Sequence, residues 1–164
     1  MTKLIRNAVV GAMLIVAGCG GSKDRDALKL AVTSLRSDFS VGISIVKLTE
    51  KLSNIKTLIK VAEDSKSLNT IQDIAANHLI LTGVNVISAL SDNFGCHNQL
   101  NDYEYQPKGT YCDYQMKEHL RAIGFDQKRI EEIINTGSVN RKELVGETLS
   151  FLDKQAELAE STLK

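Results

Sequence analysis

An all-α fold, a bundle of about five helices with one disulfide-closed loop over 93–112, is what the sequence predicts, and three observations lead to it. Apolar residues recur at three- and four-residue spacing over most of the chain. No run alternates with the two-residue period of a strand beside a hairpin signal. The single proline, Pro107, falls in a loop and leaves every helical pattern unbroken. No repeat of solenoid period and no low-complexity tract is present.

The first helical pattern begins at Asp24. Leu28, Val32, Leu35 and Phe39 share one face, and Leu48, Leu52, Ile55, Ile59 and Ala62 do the same further on. Between them Ser40-Val41-Gly42-Ile43-Ser44 blurs the stripe, with Gly42 costing about 1 kcal/mol relative to alanine in a helix interior. Two readings fit: one long bent helix over 25–64, or two helices meeting near 37–42 with Asp38 capping the second. The long helix is the expectation. Glu63 to Ser67 is a polar break, and a further helix follows from Leu68 or Thr70 to Ser91, with Ile71, Ile74, Ala75, Leu79, Val86, Ile87 and Leu90 apolar. Its stretch His78 to Leu90 is apolar nearly all round, the mark of a central helix. Asn77, His78 and Asn85 interrupt it too often for a membrane span, and His78 reads as a hydrogen-bonded core histidine.

Asn93 to Thr110 is the one long irregular segment, holding Gly95, Pro107 and Gly109. Helix resumes over Tyr111 to Ile123 and stops at Gly124, a fitting C-terminal cap. Asp126 caps a short helix through Ile133 and Ile134 that Gly137 ends. Asn140 with Glu143 reads as a capping box and opens a last helix to about Thr162. Leu144, Leu149, Leu152, Ala156 and Leu158 are its apolar positions, with Leu163 just beyond.

The N-terminus has the pattern of a processing signal rather than of a folded element. Lys3 and Arg6 precede the apolar run Ala8 to Val16, with no acidic residue before Asp24. That run is about half of the roughly 20 residues a spanning helix needs. It ends in Val16-Ala17-Gly18-Cys19, which resembles the lipobox of bacterial lipoproteins, with valine where leucine is usual. The resemblance covers residues 1–19. It implies that residues 1–18 are cleaved and that Cys19 becomes a first residue bearing acyl chains such as palmitate. Residues 19–23 would then be the lipidated cysteine and a short tether, and 24–164 one helical domain. Two or three acyl chains give stable anchoring where one gives marginal binding. Gly20 stands where aspartate marks inner-membrane retention in many such proteins, so the resemblance points to the outer membrane, facing the periplasm.

Composition narrows the function classes. The chain carries 20 basic and 20 acidic residues. Removal of Lys3 and Arg6 with the signal leaves a near-neutral domain without a basic stripe, which disfavours nucleic acid. Two cysteines remain, Cys96 and Cys112. In an oxidising compartment such a pair is expected to form a disulfide. A zinc site from these two with His97 and His119 lacks the close ligand pairs such sites use, and oxidation would consume the thiolates. No GxSxG, HExxH or phosphate-loop pattern occurs, so neither catalytic residue, metal nor cofactor is expected.

Functional weight falls on the loop. All four tyrosines of the chain lie there and on its margin, Tyr103, Tyr105, Tyr111 and Tyr114, among polar residues that include Asp102 and Glu104. Tyrosine offers a large rigid contact with a polar tip, and neighbouring amides and carboxylates add adaptable hydrogen bonds, the mixture binding loops use. The expectation is a non-catalytic, membrane-anchored module that grips another protein through Tyr103, Tyr105, Tyr111, Tyr114, Asp102 and Glu104. Within that class an inhibitor, immunity or exclusion lipoprotein suits the size and address. The alternative is a pilotin-like assembly factor, holding a secretion or pilus subunit in a groove between helices. An envelope enzyme is the third class, and the least supported.

Overall fold

The computed structural model describes residues 21–98, 111–136 and 141–164, with side chains except at 21, 92–98, 111, 112, 136 and 141. Their regular structure is all helical: α1 (Gly21–Val41), α2 (Ile45–Asp64), α3 (Thr70–Asn98), α4 (Tyr111–Ile123), α5 (Gln127–Thr136) and α6 (Arg141–Thr162). The all-α expectation holds, with six helices rather than about five among the described residues.

The sixth arises because the first pattern breaks. Gly42 takes φ +92°, a left-handed conformation that removes it from a continuous helix, and Ser44 opens α2 by accepting from the Lys47 amide at 3.2 Å. The long helix over 25–64 is therefore not formed, and Asp38 is not the cap. Its carboxylate instead pairs with Lys47 and Lys51, each at 2.9 Å, clasping the α1–α2 hairpin.

The start of α3 is a capping box that the sequence pattern does not single out. Asn69 Oδ1 accepts from the Ile71 and Gln72 amides at 3.0 Å, and Gln72 Oε1 accepts from the Asn69 amide at 3.0 Å. Buried Gln72 also donates to the Thr162 carbonyl at 2.9 Å, tying the start of α3 to the end of α6. At its other end α3 runs through Gly95 to Asn98, so the irregular segment does not begin at Asn93. Gly124 (φ +117°) ends α4, and Asp126 Oδ1 accepts from the Arg129 amide at 2.9 Å to open α5, both as expected. Gly137 and Asn140 lie outside the described residues. Glu143 bonds Arg129.

Bonds between neighbours define their directions. Asp38 meets Lys47 while Ser34 meets Lys51. Thr33 meets Glu160 while Arg36 meets Asp153, and Gln72 meets Thr162 while His78 approaches Gln155. In each pair the numbering rises on one helix as it falls on the other, so neighbours run antiparallel. With α2 against α3, helices α1, α2, α3 and α6 form an up-and-down four-helix ring. At the α2–α3 crossing Gly83 lies directly against the Leu52 methyls. The enclosed core includes Leu28, Leu35, Leu48, Ile55, Leu79, Leu120 and Leu152. Helix α4 runs back along α3 and also touches α6: His119 bonds Asn85 at 3.1 Å, and Gly124 lies against Phe151.

This topology gives the bundle two unlike ends. Gly21, the α2–α3 link and Thr162 mark one, and the α1–α2 turn, Asn98 and Tyr111 mark the other. Helix α3 alone, at 29 residues, spans about 43 Å between them. Packed against α2, α4 and α6, it is the central helix its composition predicted. By length and composition it is also apolar enough to cross a membrane over Thr70–Ser91, with 44% of an 18-residue stretch of that span buried inside the protein. Ile71, Ile74 and Leu158, which periodicity places on apolar faces, are exposed. His78 is exposed too, rather than in the core.

Candidate functional site

The site singled out from sequence is the connection between α3 and α4. Asp102, Tyr103, Glu104 and Tyr105 lie outside the described residues, as does Cys19 at the other end of the chain. Tyr111 is the first residue of α4, and Tyr114, one turn along, is 63% exposed. Both flanks of the connection sit at the end of the bundle opposite Gly21, because α3 runs outward and α4 returns beside it.

The cysteines belong to helical backbone rather than to the irregular segment, Cys96 near the end of α3 and Cys112 in the first turn of α4. Their side chains lie outside the described residues. From the Asn85–His119 bond, Cys96 is eleven residues outward along α3 and Cys112 seven outward along α4. At 1.5 Å per residue the two positions differ by about 6 Å in height, roughly one turn. The two positions flank the tyrosine segment on an antiparallel helix pair, about one helical turn apart in height.

Two further features share this outer half. The α1–α2 turn carries exposed Val41 and Val46 on either side of Gly42. Beside it a groove of about 510 Å³ runs between α1 and α6, lined by Arg36, Phe39, Ser40, Gly146, Leu149, Ser150 and Asp153. Its floor is apolar, from half-buried Phe39 and Leu149. A side chain added at Gly146 would meet nothing within 4 Å, so the groove is open above that residue. Arg36 closes one end, bonded to Asp153 at 3.1 Å and to Glu160 at 2.7 Å. Those bonds, first from Glu160 and then from Asp153, hold its guanidinium pKa above the ordinary value, so it is a fixed cation. The sequence gives one faint signal of the groove, a glycine inside a helical pattern.

A second groove, of about 480 Å³, lies under the α4–α5 turn and is bordered by Phe125, Arg129, Glu147 and Phe151. Arg129 is committed there to Glu147 at 2.7 Å, Glu143 at 2.9 Å and Glu132 at 3.2 Å. This is a structural clamp joining α5 to α6. His119, half-buried on α4, is bonded to Asn85 at 3.1 Å. Among the described residues no three histidine, cysteine or carboxylate side chains converge as metal ligands. No family model matches the chain, and no curated protein or solved structure matches it at a significant level.

Proposed function

We propose that the chain is a bacterial lipoprotein, anchored through acylated Cys19 to the periplasmic face of the outer membrane, that binds another protein without catalysing a reaction. The binding surface is the end of the bundle opposite the anchor, with Tyr103, Tyr105, Tyr111 and Tyr114 supplying rigid contacts and Asp102 and Glu104 polar ones. A Cys96–Cys112 disulfide staples its base, reducing the ordering cost of binding.

The observation that carries this reading is polarity of the bundle. Helix α1 begins at Gly21, two residues after Cys19, while the flanks of the tyrosine segment, Asn98 and Tyr111, stand at the other end. A chain tethered at its first helix would hold that segment about 40 Å from the lipid, the length of α3, where a partner has access. Exposed Tyr114, Val41 and Val46 extend the same end. Within this class an inhibitor, immunity or exclusion protein suits a small domain that acts by occupying a partner.

The second reading is the assembly factor, favoured by the groove over Phe39, Leu149 and open Gly146. A partner's apolar helix would lie there between α1 and α6.

One experiment separates them. The oxidised protein is immobilised and offered envelope and culture-fluid proteins beside two variants, Tyr105→Ala/Tyr111→Ala and Gly146→Trp. A specific partner lost by the tyrosine variant and kept by Gly146→Trp supports the loop. The converse supports the groove. A partner held equally by all three, or none held at all, contradicts both readings.

A further inference from the structure

Helix α3 carries apolar residues on its outer face as well as its inner one, beside the polar Asp73, Asn77 and His78. Its core-facing side is complete with Ala75, Ala76, Leu79, Val86, Ala89 and Leu90 buried, yet Ile71 and Ile74 are 69% and 61% exposed. Where α3 meets α6, His78 and Gln155 approach across the seam at 3.4 Å. Ile74 lies four residues before His78 on α3 and Leu158 three after Gln155 on α6, so helical periodicity sets both one turn from that pair toward the Gly21 end, with Ile71 a turn further on. Leu158 is 52% exposed. In the outer half of the bundle α4 packs on both α3 and α6. In this half no described element covers the seam, and Ile71, Ile74 and Leu158 stay exposed.

We infer that this uncovered seam, Ile71, Ile74 and Leu158, rests in the interface of the lipid bilayer that carries the anchor. The inference deepens the proposed function and rests on acylation of Cys19. Its occupant follows from the chain's connection. From Cys19 to Gly21 is two residues, a reach of about 7 Å when extended, so an acylated cysteine brings this end of the bundle to the membrane surface. Apolar side chains held there enter the boundary between headgroups and acyl chains, where interfacial elements sit about 5–10 Å deep. Acyl chains on Cys19 already supply retention. The seam therefore sets orientation, turning a swivelling tether into a fixed stance with the tyrosine end pointing away from the lipid.

The chain has no tryptophan, so one introduced residue reports one position. Ile74→Trp reports the seam, and Val46→Trp, at an exposed position of the opposite end, reports the control. Each full-length protein is produced in a bacterium that processes it, weighed intact, and reconstituted into phosphatidylcholine vesicles with and without brominated acyl chains. The expected result is an acylated mass, with the tryptophan at 74 shifted to the blue and losing about half its emission to brominated lipid at interfacial depth, and that at 46 unchanged. An acylated protein whose two reporters are both unquenched, or both quenched alike, overturns the inference while leaving the anchor intact. Shielding at 74 that grows with protein concentration in the absence of lipid assigns the seam to a second copy and also overturns it. A mass without acyl chains removes the anchor reading itself, and the lipid-facing seam falls with it.

Discussion

At Gly42 the backbone adopts φ +92°, and the first helical pattern divides there. Alanine at that position meets no neighbour but must occupy a left-handed conformation, so Gly42→Ala should cost about 1 kcal/mol, read as a lower urea midpoint at unchanged slope. Gly83 is constrained differently. A Cβ there would overlap the Leu52 methyls on the facing helix, and overpacking of this kind costs about 1–3 kcal/mol, so Gly83→Ala should destabilise even though alanine is the better helix former. Asp38 carries a pH dependence. Hydrogen bonds from Lys47 and then Lys51 hold its carboxyl below its ordinary value, and Glu160 is held down by Thr33 and then Arg36. A carboxyl whose pKa is depressed in the folded state contributes stability that is full above its unfolded value, near 4. That contribution is lost as pH falls through the lower folded value. Thermal unfolding of Asp38→Asn should therefore show a flatter decline below about pH 4 than the parent chain; an unchanged acid slope would mean the clasp contributes nothing.

Among the helices, α6 contains the position best suited to test the element scale. Gly146 sits inside it, and a methyl group added there would stand in open space, so Gly146→Ala should stabilise by about 1 kcal/mol, measured by urea unfolding. Much of this level is legible in the sequence. The ends of α4 and the start of α5 follow from Gly124 and Asp126, whose chemistry acts locally. The break at Gly42 competes with a long bent helix because a helical glycine and a left-handed glycine look alike in one chain. Only the pairing of α1 with α2, through Asp38, Lys47 and Lys51, decides between them. Helix α3 hides its orientation for a related reason. A helix apolar nearly all round does not say which face is inside, so His78 reads as a core histidine, and the apolar pattern at Ile71 and Ile74 does not reveal that they face outward. The groove beside Gly146 depends on how far α1 and α6 stand apart, a tertiary property that a glycine inside a helical pattern signals only faintly.

At the scale of the molecule, an up-and-down ring converts chain order into position. The first helix starts at one end, and Asn98 and Tyr111, the flanks of the tyrosine segment, stand at the other. The proposed Cys96–Cys112 bridge would close a loop of about 15 residues and contribute on the order of 3 kcal/mol. Reduction of the purified protein should lower its unfolding midpoint accordingly, and a midpoint insensitive to reductant would show that no bridge is formed. The proposed anchor, outward-facing binding end and lipid-facing seam all depend on acylation of Cys19. The intact mass of the protein isolated from bacterial membranes tests that directly. The expected mass is that of a chain lacking residues 1–18 and heavier than the remaining sequence by two or three fatty-acyl chains with their glyceryl group. A mass that retains residues 1–18, or matches an unmodified chain, would contradict it.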